Sequence, residues 1–193
     1  FINFNSSLVG YWRFEDSGHT NSSNVSDFTS NNNNGSLVGF GCLTADCNLT
    51  GGAAGVPSGF VSSGKRGRAL AFDGVSNFVN VSDSASLEVS GNLTLEGWVY
   101  PLLAPAAGIT FAVVGKATTA TIDYLLFINS THVGFNTSSQ GVSSAVRAVP
   151  VSAWSYVAAS FDGANVRVYV NGVLNATVAQ ASALSSTSGH LSV

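Results

Sequence analysis

Four oxygen-bearing side chains alternate along one short polar segment and could bind a metal ion. Asp27, Thr29, Asn31 and Asn33 occupy every second position of the segment DFTSNNN, shortly before a glycine. Calcium takes six to eight oxygen ligands, and a loop that presents one such side chain every second residue can wrap around it. We therefore predict a calcium site of modest affinity here, because only one formal charge is present. A solvated, asparagine-rich loop is the alternative interpretation.

The acidic residues do not show the pairing that glycoside hydrolysis needs. A retaining enzyme places two carboxylates about 5 Å apart, and alternate residues of one strand would achieve this. Only Glu96 lies in the middle of a predicted strand, where it shares a face with Trp98. The histidines, His19, His132 and His190, are scattered along the chain and form no Ser-His-Asp or Cys-His grouping that the sequence can support. We predict no catalytic residues and no enzyme activity; a glycoside hydrolase is a minor alternative.

Glycan acceptors of the form Asn-x-Ser/Thr are unusually frequent. Ten of the 17 asparagines lie in such a triplet, whereas chance placement of the serines and threonines would give about 4. The excess indicates a glycosylated protein at the cell surface or outside the cell; incidental acceptors in asparagine-rich turns are the alternative. The predicted glycosylation sites are Asn5, Asn21, Asn24, Asn34, Asn48, Asn80, Asn92, Asn129, Asn136 and Asn175.

The two cysteines lie close together in the segment GCLTADCN. In a secreted chain, Cys42 and Cys47 are expected to form a local disulfide that rigidifies one loop. A structural zinc site needs four ligands, so this pair alone does not predict one.

The overall charge excludes some partners. Charged residues make up 9% of the chain, against about 25% in ordinary soluble domains. The net charge of −3 offers no basic surface for nucleic acid. No apolar run approaches the roughly 20 residues that span a bilayer. We predict neither nucleic-acid binding nor a membrane span in this segment.

The pattern of apolar residues is that of an all-β protein. Short segments rich in aromatic and branched residues recur between polar turns, as in a β-sandwich. In FDGANVRVYVNGVLNATV, residues 161–178, valines alternate with polar residues on both sides of Asn171-Gly172. Asn-Gly supplies the positive φ angles of a type I′ hairpin, so Asn175 should project from the solvent face of the returning strand. The predicted strands lie at 8–14, 68–74, 77–82, 93–101, 109–116, 123–129, 131–136 and 154–161.

Several of these segments together resemble the laminin-G-like, concanavalin A-type jelly rolls of secreted prokaryotic surface proteins. The resemblance depends on AFDGVSNFVNV, on the tryptophan of LEGWVYP, and on WSYVAASFDG leading into VYVNG. It implies an all-β fold with two antiparallel sheets stacked face to face, formed by residues 1–193 as one domain. The family's loop often reads Asp-x-Ser-x-Asn-x-Asn, which DFTSNNN matches. Tyr156 replaces a histidine found in many relatives, a change expected to affect packing alone.

The chain ends at GHLSV, where relatives continue into a further strand. We therefore expect the domain to lack its last strand, either because this sequence stops at a boundary short of that strand or because a neighbouring subunit donates it. An open sheet edge of that kind can pair with a strand from another chain.

The family's usual role predicts a non-catalytic recognition or adhesion module that binds a glycan or a surface protein. The alternative is a structural subunit of a surface layer or filament, a homopolymer assembled through the open edge. Sugar binding would need exposed aromatic side chains beside polar groups. Candidate platforms are Trp98, Tyr100, Tyr124 and Tyr169. Tryptophans in strands more often belong to the core, and this is the expectation for Trp12, Trp98 and Trp154.

Overall fold

A computed structural model describes residues 7–15, 24–40, 59–130, 132–139, 141–143 and 149–193. These residues form antiparallel strands and one short 3-10 helix at Ala85–Leu87. The strands are β1 Asn24–Val25, β2 Gly35–Val38, β3 Gly59–Val61, β4 Ala69–Ala71, β5 Phe78–Val81, β6 Leu93–Val99, β7 Thr110–Ala117, β8 Ile122–Asn129, β9 Val133–Thr137, β10 Gly141–Ser143, β11 Ser155–Phe161, β12 Asn165–Val170, β13 Val173–Ala179 and β14 His190–Ser192. The all-β, jelly-roll class predicted from the sequence is confirmed.

The chain divides into two compact units, Phe1–Leu87 and Glu88–Val193. In the first unit β2 pairs with β1 on one side and with β5 on the other, and β3 pairs with β4. Val25, Val79 and Val81 are buried there, because alternate residues of these short strands face inward.

The second unit contains two antiparallel sheets. One has the order β14-β7-β8-β9-β10 and the other the order β13-β12-β11-β6. Their inner faces pack on each other through apolar side chains such as Leu126 and Phe135 from the first sheet and Val157 and Val168 from the second. This is the stacked arrangement of a β-sandwich.

The hairpin predicted around Asn171-Gly172 is confirmed. The φ angles are 52° at Asn171 and 78° at Gly172, which is the left-handed region that a type I′ turn requires. β12 and β13 pair on either side of this turn. Asn175 is half-buried, beside the register shift that follows Val168.

The first predicted strand, at 8–14, is wrong as a regular strand. Only Trp12 makes a β-bridge there, to Asp27. Phe28 N donates to Tyr11 O. Val9 O, however, accepts hydrogen bonds from the side-chain amides of Asn31 and Asn33, so side chains take the place of part of a regular ladder. The segment does have residues of high β propensity, but the sequence does not show which groups its backbone bonds to.

Candidate functional site

β6 and β11 run side by side in the second unit and present one face outward. Their register places Trp98 opposite Tyr156 and Glu96 opposite Ala158. Because successive side chains on a strand alternate between the two faces, these residues share the outer face, whereas Leu95, next to Glu96 in β6, is buried.

Two aromatic pairs lie next to each other on this face. The ring centroids of Trp98 and Tyr156 are 5.4 Å apart, and those of Tyr100 and Trp154 are 5.3 Å apart. Trp98 is 45% exposed and Tyr100 is 40% exposed; Trp154 and Tyr156 are half-buried. We call these four residues the aromatic strip. Exposed large aromatic side chains held in a fixed geometry are a common feature of binding surfaces.

Glu96 adds a hydrogen-bonding group beside the aromatic strip. The Tyr156 hydroxyl donates to Glu96 Oε2 at 2.5 Å. Burial, the hydrogen bond to Glu96 and the negative charge of Glu96 all raise the pKa of the Tyr156 hydroxyl above its usual value. The phenol therefore stays protonated and holds the carboxylate in place.

The neighbouring strands complete the face. Ala158 is buried at its centre, with Tyr169 of β12 opposite it. Arg167, also on β12, forms an ion pair with Asp162 at 2.5 Å. The face therefore combines tilted aromatic rings, the carboxylate of Glu96, the Arg167–Asp162 ion pair and a small methyl-lined centre.

The candidate platforms of the sequence analysis have different outcomes. Trp98 and Tyr100 are exposed, as a platform requires, and the expectation that Trp98 belongs to the core is wrong. Tyr124 is buried and is wrong as a platform, because the alternation of β8 turns it inward. Tyr156, expected to affect packing alone, also forms the hydrogen bond to Glu96. Its position opposite Trp98 could not be seen without the register.

In the first unit, the predicted calcium residues meet around the carboxylate of Asp27. Asp27 Oδ1 accepts from Tyr11 N and Thr29 N, each at 2.9 Å. Asp27 Oδ2 accepts from Thr29 Oγ1 at 2.7 Å and from Asn33 N at 2.9 Å. Burial would raise the pKa of this carboxyl, but the hydrogen bonds from Thr29, Tyr11 and Asn33 outweigh it and lower the pKa. We call this arrangement the Asp27 cluster.

Asn33 is the second centre of the Asp27 cluster. Its side chain donates to Val9 O and Ser86 Oγ, and its Oδ1 accepts from Ser84 Oγ at 2.7 Å. Trp12 donates its indole N–H to Asn33 O at 2.8 Å. In this arrangement the side-chain oxygens of Asp27 and Asn33 already accept from protein donors and do not present a coordination sphere. Calcium binding stays a prediction.

A buried ion pair lies in the second unit. Lys116 Nζ is 3.5 Å from Asp123 Oδ2, and both side chains are fully buried. Asp123 Oδ2 accepts from the backbone and hydroxyl of Thr187, and Lys116 donates to the Thr187 carbonyl. These contacts fix the segment before β14 against β7 and β8. Removing one partner would leave a buried charge, so the pair has a structural role.

The glycosylation sites are only partly within the described residues. Asn24, Asn34 and Asn92 are exposed, and Asn34 Oδ1 also accepts a hydrogen bond from Asp27 N. The half-buried acceptors are Asn80, Asn129, Asn136 and Asn175. Outside the described residues lie three acceptors, Asn5, Asn21 and Asn48, and the two cysteines, Cys42 and Cys47. Glycosylation of the acceptors and the disulfide between the cysteines therefore stay predictions.

The sequence and the fold agree with a family assignment. A laminin G family model, described as the concanavalin A-like lectin/glucanases superfamily, matches residues 73–193. The chain therefore belongs to this superfamily. No curated protein is similar to it in sequence.

Several solved structures are similar to this chain, and an arabinanase domain among them shows the same fold. Domain 4 of AbnA, a GH43 extracellular arabinanase from Geobacillus stearothermophilus solved with arabinotriose, is 19% identical with a TM-score of 0.61, covering 87% of this chain and 76% of that one. Carbohydrate-binding module CBM66 from Bacillus subtilis is 16% identical, with a TM-score of 0.42 over 61% of this chain and 73% of its own. Mouse laminin α1 domains LG4-5 are 12% identical, with a TM-score of 0.44 over 58% and 30%. In the described part of the chain, no helix is long and apolar enough to cross a membrane.

Proposed function

We propose that this chain is a non-catalytic carbohydrate-recognition module of an extracellular protein, and that the aromatic strip is its binding surface. The observation that carries the proposal is the pair formed by exposed Trp98 and half-buried Tyr156, whose ring centroids are 5.4 Å apart, beside the carboxylate of Glu96. Sugar rings have apolar C–H faces that stack on aromatic rings and hydroxyl edges that hydrogen-bond to polar groups. Aromatic surface with a few placed polar groups is the usual composition of a ligand site.

The superfamily supports a binding role for carbohydrate or protein. The arabinanase domain was solved with arabinotriose, which makes carbohydrate the first class of ligand to test. An extracellular location is in keeping with that domain's origin in an extracellular enzyme and with the frequent glycan acceptors of this sequence.

A glycan array followed by titration calorimetry tests the proposal. We expect Trp98→Ala to weaken binding of any array hit by about 30-fold or more, because truncating a central aromatic typically costs about 2 kcal/mol. The free energy of unfolding should change by about 1 kcal/mol or less, since Trp98 lies on an edge strand and is half-exposed. Incubation with the bound glycan should release no new reducing ends.

The matched control is Val75→Ala, at a 79% exposed apolar residue in the other unit. This variant should bind like the parent chain. If no glycan binds, or if Trp98→Ala binds as well as the parent, the proposal is wrong.

A further inference from the structure

The register of β6 and β11 continues past the aromatic strip and orders the outer face into rungs. Each rung joins one outward residue of β6, or the residue just after it, to its neighbour on or just before β11, and consecutive rungs are about 7 Å apart, the length of two strand residues. In order, the rungs are Tyr100–Trp154, Trp98–Tyr156, Glu96–Ala158 and Thr94–Ser160.

The first two rungs are aromatic on both strands. A single aromatic pair can stack on one sugar ring, whereas two consecutive pairs offer two stacking positions in line with the strands. A linear oligosaccharide lying along β6 and β11 would therefore pass over both aromatic rungs.

The next two rungs are polar or small. Glu96 Oε2 accepts from Tyr156 at 2.5 Å, while Glu96 Oε1 accepts no hydrogen bond from the described residues and can accept one from a ligand hydroxyl. The small side chain of Ala158 lies opposite Glu96, and the next rung presents the hydroxyls of Thr94 and Ser160. A sugar beyond the aromatic rungs would meet hydrogen-bonding groups rather than rings.

The charge of these rungs selects against acidic ligands. Glu96 is the one formally charged residue among the eight that form them. The nearest cation described on the neighbouring strand, Arg167, is paired with Asp162. A carboxylate or sulfate placed over the rungs would be repelled by Glu96, and Arg167, which lies opposite Ser160, is already paired with Asp162.

We infer that the rungs bind a linear, uncharged glycan with at least two consecutive sugar units along β6 and β11, and that Glu96 disfavours polyuronates. This inference rests on the proposed function and specifies its ligand class and its orientation.

The test uses titration calorimetry with arabino-, xylo- and cello-oligosaccharides of increasing length and with polygalacturonate and alginate. For the neutral series that binds, we expect affinity to rise about tenfold from one unit to two or three as the second stacking contact forms. Tyr100→Ala should remove most of this gain and leave the shortest ligand little affected. Glu96→Gln keeps an acceptor for Tyr156 and should increase polyuronate binding at low salt while changing neutral binding by less than about threefold.

The outcomes separate this inference from the proposed function. Binding that is abolished by Trp98→Ala but does not depend on ligand length would overturn the linear two-unit arrangement and leave carbohydrate recognition intact. If the parent chain bound polyuronates as tightly as neutral oligosaccharides, the charge selection would be overturned. Absence of binding to any carbohydrate would overturn both proposals.

Discussion

The Asp27 cluster and the aromatic strip use polar and aromatic side chains in opposite ways. In the Asp27 cluster the carboxylate is buried and accepts four hydrogen bonds from the protein. In the aromatic strip Trp98 is exposed, and one oxygen of Glu96 accepts no hydrogen bond from the described residues.

The difference teaches that residue type alone does not identify a binding site. A side chain can take up a ligand readily only where its surface and hydrogen-bonding groups are not already used by the fold. The oxygens of the Asp27 cluster already accept hydrogen bonds from the protein, whereas the aromatic strip, in which Trp98 is 45% exposed, is the surface that we propose for a ligand. The following predictions test that division.

The largest expected effect is on stability. Asp27→Ala should lower the free energy of unfolding by about 3 kcal/mol or more, because it leaves several buried donors without their charged acceptor. Urea unfolding followed by tryptophan fluorescence measures this. The matched control is Asp73→Ala, since Asp73 also accepts hydrogen bonds from three backbone N–H groups and one hydroxyl but lies in a half-exposed turn. We expect about 1 kcal/mol for the control; equal losses would contradict the division.

Acid should destabilise the chain partly through the same carboxylates. The pKa of Asp73 is lowered to about 2, because hydrogen bonds from Ser76, Val75 and Asn77 outweigh the effect of burial, which alone would raise it; the pKa of Asp27 is also lowered. A carboxyl whose folded-state pKa lies below its unfolded value, about 3.9, stabilises above that value and loses the contribution as pH falls through the folded pKa.

Urea unfolding at several pH values measures this dependence. Between about pH 5 and pH 2 the parent chain should lose more stability than Asp27→Asn, in which this carboxyl no longer titrates. Identical pH profiles would show that the Asp27 carboxyl does not contribute to acid sensitivity.

The smallest expected effect is that of calcium. Because Asp27 and Asn33 direct their oxygens at protein donors, about 10 mM calcium should raise the free energy of unfolding by less than about 0.5 kcal/mol relative to EDTA. A larger rise that Asp27→Asn abolishes would support the predicted calcium site, and would show that metal ligation replaces the hydrogen bonds of the cluster.

The sequence predicted the fold well where local patterns agree with it. Alternating valines and Asn171-Gly172 predicted the β12–β13 hairpin, because period-two burial and positive φ are local properties. The predicted strand at 8–14 was wrong, since its backbone bonds to side chains about twenty residues away. A local sequence pattern does not indicate hydrogen-bond partners that lie so far along the chain.

The candidate site was only partly predictable. Glu96 and Trp98 were placed on one strand face from their spacing alone, which β6 confirms. The expectations that Trp98 is core and that Tyr124 is a platform were both wrong, because alternation gives two faces but does not say which one the second sheet covers.

The sequence by itself determined the all-β class, the hairpin turns and the superfamily, since these follow from local periodicity, turn chemistry and recurring motifs. The tertiary structure decided which aromatic residues face outward and that Tyr156 lies opposite Trp98. It also decided that the carboxylate oxygens of Asp27 accept hydrogen bonds from protein donors. Those outcomes depend on strand register and on contacts between residues distant in the chain, which no short stretch of sequence encodes.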